Sequence, residues 1–522
     1  VNQLEKIPPD QLSSELMRRL PLEFLKKQRA IPILLEQGEP AVALADPLNV
    51  EGYDAIVSIL GRPCRRVVCP APEIEQAISR CYYLSPGEAV NYFTPDTPDV
   101  PEREEGPAVE LSSTVQTRAE DLLSVDDKAP AIKLVNKILF HAVHSRASDI
   151  HIEPYEREVK VRFRVDGVLR NVLSLPRRQI GPVLSRLKIM ANLNIAEHRL
   201  PQDGQSRVST GEELVDIRVS VIPTAGGERV VLRLLDKGRG ELKLEEIGFG
   251  PELLKTFRNL IGIAHGIVLI TGPTGSGKTT TLYAALSELN CQERNILTVE
   301  DPVEYQLPGI GQMQVRPKID LTFANCLRHI LRQDPDIIMI GEIRDRETAE
   351  IAIQASLTGH LVLSTLHTND AASAVTRLID MGIEPYLISS TVVGVMAQRL
   401  VRVICPDCKK PYRPQEAVVS WNEVQKVAKG FVQLYQGAGC EKCLQTGYMG
   451  RTGIFELLLV DDAIRDLIVR RQGSHLLKEA AVEKGMRTLR QDGLRRALGG
   501  VTTLEEVCRV TQDSVQISAE VS

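Results

Sequence analysis

Apolar positions along this chain change period several times, and each change marks a different kind of element. Near the N-terminus, Leu12-Ser-Ser-Glu-Leu-Met-Arg-Arg-Leu20 repeats its apolar residues at helical spacing, whereas Ala41-Val-Ala-Leu-Ala45 and Arg66-Val-Val-Cys69 are apolar runs of strand length. A helical stripe returns from Ala131 to about Arg146. Val159-Lys-Val-Arg-Phe-Arg-Val165, Leu214-Val-Asp-Ile-Arg-Val-Ser220 and Glu228-Arg-Val-Val-Leu-Arg-Leu234 then alternate, as strands buried on one face do. Asp166-Gly167 supplies a tight turn, so this stretch predicts a mostly antiparallel α/β domain. After a connection over 236–245, the strands become apolar throughout, as in Gly266-Ile-Val-Leu-Ile-Thr271 and Asp336-Ile-Ile-Met-Ile-Gly341. Helical segments such as Thr280-Thr-Leu-Tyr-Ala-Ala-Leu286 separate them. That pattern predicts a parallel sheet with helices on both faces.

Composition narrows the classes. A chain of 522 residues is long enough for three or four domains at about 150 residues each. Residues 93–129 are acidic and Pro-rich and read as a solvated linker. Aromatics make up 4% and the net charge is −5, which disfavours a general nucleic-acid-binding surface. No apolar stretch approaches the roughly 20 residues of a membrane span, and the N-terminus has no signal-peptide pattern. The expected location is therefore cytoplasmic, with any membrane association arising through a partner protein.

The strand at 266–271 runs into Gly272, Pro273, Thr274, Gly275, Ser276, Gly277, Lys278 and Thr279, and a predicted helix follows from Thr280. This is a complete G-x-x-x-x-G-K-T phosphate loop in the setting its chemistry requires. Glycines let backbone N–H groups close around phosphate oxygens. Lys278 would bridge the β- and γ-phosphates, and Thr279 would hold Mg²⁺. Downstream, the strand at 336–341 ends in Glu342, an acid placed to orient Mg²⁺ through water. Ile296-Leu-Thr-Val-Glu-Asp-Pro-Val-Glu304 runs into Glu300, Asp301 and Glu304, and spacing alone leaves open which of these handles the attacking water. His360 and His367 flank a further strand, with His367 where a sensor of the γ-phosphate would sit. Arg328 and Arg332 are four apart, which predicts both on one helix face.

Ten cysteines include two C-x-x-C pairs, Cys405–Cys408 and Cys440–Cys443. Four thiolates suit a closed tetrahedral Zn²⁺ site of structural type, and a redox-active dithiol is the alternative.

The phosphate loop, Thr298-Val-Glu-Asp-Pro-Val-Glu-Tyr305, Arg332-Gln-Asp-Pro-Asp-Ile-Ile-Met-Ile-Gly-Glu-Ile-Arg-Asp345, and Thr358-Gly-His with Leu366-His-Thr occur in fixed order. Together they resemble the Walker A, Asp, Walker B and His boxes of the secretion ATPases of type II secretion and type IV pili. The resemblance spans roughly residues 130–515 and includes Ser145-Arg-Ala-Ser-Asp-Ile-His-Ile-Glu-Pro154 and Gly500-Val-Thr-Thr-Leu-Glu-Glu506. It implies a hexameric ring of subunits hinged around the nucleotide. By motif position it implies Glu304 as the water-activating carboxylate, Glu342 as the Walker B acid, Glu300 and Asp301 on the Asp-box side, and His360 and His367 as the His-box pair. Arg218 and Arg233 match arginines that reach across to the phosphates, and Arg328 and Arg332 match arginines needed for activity. The tetracysteine module is a feature of type II secretion ATPases and many pilus assembly ATPases, and generally not of retraction ATPases.

These readings predict a multidomain α/β protein with a RecA-like P-loop NTPase core. Its expected parts are a partner-binding α/β domain over 1–92, the linker over 93–129, and a PAS-like mixed α/β domain over 130–236. The ATPase domain follows over 237–400, a zinc module over 401–455 and a helical region over 456–522. The expected activity is ATP hydrolysis that drives pseudopilus assembly and protein export, with type IV pilus extension as the alternative on the same chassis. An inner-membrane secretion assembly protein is the expected partner of the N-terminal domain. A nucleic-acid motor and a nonhydrolysing scaffold fit the composition and the retained acids less well, and no nucleic-acid partner is expected.

Overall fold

Strand alternation sets which faces become core. The computed structural model describes residues 39–82, 130–209, 214–236, 242–412 and 432–511, with shorter pieces at 2–4, 6–8, 28–35 and 120–121 and isolated positions at 11–12, 20, 24–25 and 424. The predicted helix over Leu12–Leu20 and the predicted linker over 93–129 fall almost wholly outside these residues. The chain divides into two units, Val1–Gly238 and Arg239–Ser522.

The first unit holds two sheets. Strands β1 (Asn2–Gln3), β2 (Ala30–Leu34), β3 (Pro40–Leu44) and β4 (Arg65–Val68) lie in the order β1-β4-β3-β2, with helices α1 (Val50–Leu60) and α2 (Ala71–Tyr82). The Asn49 side chain caps α1 by accepting from the Gly52 N–H at 2.8 Å, and Gly61 ends it in the left-handed conformation. The second sheet comprises β5 (Glu120–Asp121), β6 (Ala147–Pro154), β7 (Glu158–Val165), β8 (Val168–Pro176), β9 (Gln202–Ser209), β10 (Leu214–Thr224) and β11 (Gly227–Asp236). Its order is β5-β9-β10-β11-β6-β7-β8, and every pairing but that of β5 is antiparallel, as the alternating sequence predicts. Asp166 and Gly167, both at positive φ, form the turn from β7 to β8. Helices α3 (Pro130–His144) and α4 (Ile180–Met190) bury Leu134, Ile138, Val183 and Leu187 in the same core as Ile150, Val161 and Val219.

In the second unit α5 (Pro251–Ile261) precedes the central sheet. Its strands are β12 (Gly266–Thr271), β13 (Ile296–Glu300), β14 (Gly311–Gln314), β15 (Ile337–Ile340), β16 (Leu361–Leu366) and β17 (Val392–Ile404). A small ribbon of β18 (Lys409–Tyr412) and β19 (Leu434–Gly437) follows, and then β20 (Tyr448–Leu459) returns to the central sheet. The order is β14-β13-β15-β16-β12-β17-β20, parallel except for the last pair. Both faces are apolar. Ile267 and Leu269 of β12 join one core with Ile338 and Ile340, while Val268 and Ile270 join the opposite core with Ile337 and Met339. Period-two burial on both faces explains why these strands read as unbroken apolar runs.

Helices α6 (Lys278–Leu289), α7 (Phe323–Ile330), α8 (Arg346–Leu357), α9 (Ala371–Asp380) and α10 (Pro385–Thr391) lie between the strands in sequence. Four more, α11 (Asp462–Val469), α12 (Ser474–Glu483), α13 (Leu489–Leu498) and α14 (Leu504–Thr511), close the chain. Ile464, Leu477 and Leu489 of these helices are buried in the core of the central sheet, so the last helices complete this unit. The cysteine segment sits between β17 and β20. Gly394 to Ile404 pair with Leu459 to Tyr448, so the expected boundaries at 400/401 and 455/456 cut through paired strands. Among the described residues no helix is long and apolar enough to cross a membrane.

Candidate nucleotide and metal sites

Parallel strands present their C-terminal ends on one edge of a sheet. Here that edge gathers Glu300 at the end of β13 with Asp301 after it, Glu342 after β15, His367 after β16 and the phosphate loop after β12, on four adjacent strands. Gly272, Gly275 and Gly277 all adopt positive φ, which only glycine tolerates readily. A Cβ on Gly272 would also come within 2.4 Å of the Gln398 carbonyl oxygen. The loop ends at Gly277, and α6 begins with Lys278, presenting its unpaired N–H groups to the loop.

Lys278 is buried, and its Nζ donates to the carbonyls of Gly272 at 2.8 Å and Pro273 at 3.1 Å. Burial lowers its pKa to about 8 against the opposing pull of the Glu342 carboxylate. Ser276 is 4% exposed, and among the described residues its hydroxyl has no hydrogen-bond partner. An unpaired buried hydroxyl is costly unless a ligand completes it, so the cradle fits a phosphate group. Thr279 is exposed on the first turn of α6, where a hydroxyl can meet a cation carried by the nucleotide. Pro273 is half-buried, Thr274 is exposed and Thr280 is half-buried.

Glu342 is held between two partners. The Arg344 guanidinium donates to one carboxylate oxygen, and His367 Nε2 lies 3.1 Å from the other. Burial pushes the Glu342 pKa up, but Arg344 and His367 outweigh it and hold the carboxyl below its usual range. Asp301 contributes to the field at Arg344. Glu300 differs from its neighbours, being 3% exposed and fully engaged. It accepts from the Tyr283 hydroxyl, from Thr298 Oγ1 at 2.6 Å and from Gln312 Nε2 at 3.0 Å. Glu304 is half-buried in the loop beyond, and its backbone N–H reaches the Tyr283 hydroxyl at 3.3 Å.

Two expectations are corrected. His360 precedes β16 while His367 follows it, so the strand separates them by about 20 Å at 3.3 Å per residue. His360 Nδ1 instead lies 2.8 Å from the Ala355 carbonyl and 3.1 Å from Thr358 Oγ1, away from the phosphate-loop edge. Arg328 and Arg332 do not share a helix face. Helix α7 stops at Ile330, and Arg332 lies in the turn beyond it, its N–H donating to the His329 carbonyl at 3.1 Å. Arg328 pairs with Glu347 at 2.5 Å, and Arg332 turns back to His329 at 2.6 Å. In the first unit, Arg218 lies opposite Arg233 across β10 and β11, and Arg233 donates to Asp149 at 2.9 Å.

Sequence reading missed three residues. Arg344 carried a signal, since a cation two positions after an acid on extended chain faces the same way. Gln398 is 1% exposed in an apolar strand and accepts from Thr281 Oγ1 at 2.8 Å, bracing the helix behind the loop. Tyr283 carried no local signal, since its partners arrive through tertiary folding.

The four paired cysteines form one cluster whose Sγ atoms all lie within 4.8 Å of one another. Cys405–Cys440 and Cys408–Cys443 separations are 3.8 Å and Cys440–Cys443 is 3.6 Å. Thiolates at about 2.3 Å from a tetrahedral ion stand ~3.8 Å apart, whereas a disulfide needs about 2 Å. The N–H groups of Cys440 and Gly447 each donate to Cys443 Sγ at 3.2 Å. Burial pushes that thiol up, but these donors outweigh it and bring it to about 6. The donor set therefore fits a closed four-thiolate ion.

Residues 124–509 match the Type II/IV secretion system protein family, and residues 3–88 match the MshEN domain. The chain is 49% identical over 504 residues to the type II secretion system protein E of Pseudomonas aeruginosa, covering 95% of this chain and 97% of that protein. It is 48% identical over 506 residues to the type II secretion system ATPase E of Vibrio cholerae, again covering 95% and 97%. In fold it resembles the crystal structure of the Legionella pneumophila ATPase DotB, with a TM-score of 0.54 at 21% identity, over 75% of this chain and 98% of that one.

Proposed function

This chain belongs to the type II/IV secretion system protein family and is an ATPase; we propose that it works as a homohexameric ring whose ATP hydrolysis drives pseudopilus assembly and protein export by type II secretion. The observation that carries this reading is likeness to type II secretion ATPase E across 95% of the chain, with residues 3–88 matching the MshEN domain as well.

In this reading ATP seats its phosphates on the N–H groups of 272–279, and Lys278 leaves its two carbonyl partners for the β- and γ-phosphates. Thr279 and Glu342 would hold Mg²⁺, which when bound would neutralise charge on those phosphates. Glu304 accepts the proton of the attacking water, Asp301 supports Arg344, and His367 couples the γ-phosphate position to Glu342. Arg218 and Arg233 serve as charge-neutralising arginines. Arg328, exposed and held by Glu347 and by Asn325 Oδ1 at 3.1 Å, is available to a neighbouring subunit once those surface contacts open. Zn²⁺ held by Cys405, Cys408, Cys440 and Cys443 would be structural, because four thiolates would leave it no open position. Recruitment to the inner membrane runs through the N-terminal domain and a bitopic assembly protein.

The test is capture with the full-length chain on detergent-solubilised inner membranes. Recovery of a single-pass type II secretion assembly protein is the expected result. Recovery of pilus-assembly components alone would overturn the secretion assignment and leave the enzyme as described.

A further inference from the structure

The phenol of Tyr283 joins two parts of the nucleotide site, and it does so at Glu304 itself, whereas a second side-chain tie from the end of α6, Asn290 Nδ2 to the Pro308 carbonyl at 2.8 Å, falls at the far end of the segment 301–310. Tyr283 lies five residues after Lys278 on α6, about 7.5 Å along the helix, and is fully buried. Its hydroxyl donates to Glu300 and accepts from the Glu304 N–H at 3.3 Å and from Gln312 Nε2 at 3.4 Å. Gln312 Nε2 also donates to Glu300 at 3.0 Å and to the Tyr305 carbonyl at 3.1 Å, while its Oε1 accepts from the Leu307 N–H at 2.7 Å. The Tyr305 ring packs edge-on against Tyr283 at 4.7 Å.

One buried hydroxyl is thus the hub between the helix that carries Lys278 and Thr279 and the segment 301–310 that carries Glu304. Both ends of that segment are fixed by the pairing of β13 with β14. Its middle is tied down by Gln312 and, at Glu304 itself, by Tyr283. Burial and the Glu300 carboxylate push the phenol's pKa well up, so it remains a hydrogen-bonding neutral group throughout the working pH range.

We propose that Tyr283 is a positioning residue for hydrolysis, its hydroxyl setting where the Glu304 carboxylate stands relative to the phosphate loop. Glu300 is the anchor of that hydroxyl and not a ligand of the nucleotide. The proposal rests on Glu304 acting on the attacking water. A water-activating base displaced by about 1 Å can lose on the order of a hundredfold in rate while substrate binding is untouched.

The experiment compares three variants of the full-length chain by steady-state hydrolysis of Mg-ATP, with a thermal melt for each. Glu304→Gln tests the underlying reading and is expected to be inactive. Tyr283→Phe deletes only the hydroxyl and is expected to lower kcat about ten- to a hundredfold, with KM for ATP within about twofold. Thr298→Val removes another donor to Glu300 without touching Glu304, and is expected to destabilise the fold comparably while keeping kcat within about threefold. If Tyr283→Phe keeps the parental kcat while Glu304→Gln is dead, the positioning role is overturned and the Glu304 reading survives. If Tyr283→Phe and Thr298→Val lose kcat alike, the effect is loosening around Glu300 and the proposal is again overturned. If Glu304→Gln hydrolyses at the parental rate, the reading of Glu304 falls and the proposal falls with it.

Discussion

The phosphate loop and the tetracysteine cluster lie in one folded unit and are built in opposite ways. The loop is held by backbone conformation. Three of its glycines stand at positive φ, its lysine is folded back onto the loop's own carbonyls, and its serine hydroxyl has no partner among the described residues. The cysteine cluster is held by side-chain geometry that is already complete, with sulfur spacings of 3.6–3.8 Å and backbone N–H groups satisfying Cys443. A site for a ligand that must leave keeps polar groups in reserve, whereas a site for an ion that stays has every donor committed. The contrast assigns turnover to the first site and folding to the second. It predicts that perturbing each should move different observables, graded by distance from the phosphates.

The largest effect on nucleotide handling should come from Lys278→Ala. Removing the cation proposed to meet the β- and γ-phosphates should lower kcat/KM for ATP by at least a hundredfold, with metal content unchanged by elemental analysis. Parental hydrolysis in this variant would erase the distinction between the two sites, since the loop would then be a turn that binds nothing.

How much of this contrast the sequence reveals depends on range. The phosphate loop, Glu342 and the four cysteines are legible because each lies in a short contiguous pattern whose chemistry fixes its spacing. Fold class is legible for the same reason, since strands buried on both faces and strands buried on one face differ in period. Tyr283 and Gln398 are not legible, because the partners they meet, Glu300 and Thr281, lie 17 and 117 residues away and come together only in the folded sheet. His360 and His367 show the reverse problem. They are close in sequence, but an intervening strand carries them to opposite edges. Arg332 falls off the helix face because α7 ends at Ile330, which a four-residue spacing rule cannot see.

A smaller effect follows from the proton on Lys278. Burial depresses its pKa to about 8 in the free protein, whereas an exposed lysine titrates near 10.5. Between those values the unfolded chain binds the extra proton, so this group makes the fold more stable as pH rises from 8 toward 10.5. Nucleotide affinity runs the other way, because the phosphates require the charged form and raise the pKa in the complex. The Kd for ATP should be flat below pH 7.5 and then weaken by about tenfold by pH 9, read by a fluorescent ATP analogue. A flat profile to pH 9 would mean that the lysine is charged throughout, and that the loop is less buried than its neighbours imply.

The smallest effect on ATP should come from the other site. Cys440→Ser removes one of four thiolates and should release the metal, because a three-thiolate remnant loses the closed tetrahedron. The segment between β17 and β20 then loses its cross-link, and trypsin should gain access to the Lys409–Lys410 bond, which strand pairing in β18 holds in the small ribbon. The β17–β20 pairing from Gly394 to Ile404 is made by backbone hydrogen bonds and two apolar cores, not by the ion, so the sheet that carries Gln398 and the phosphate loop should persist. KM for ATP should therefore stay within about threefold while Tm falls by several degrees. A Cys440→Ser protein that kept its metal and its resistance to trypsin would show the cluster to be dispensable to the fold. A variant that lost ATP binding as severely as Lys278→Ala would show that the ion also holds the phosphate loop, and the division between a site for turnover and a site for folding would not stand.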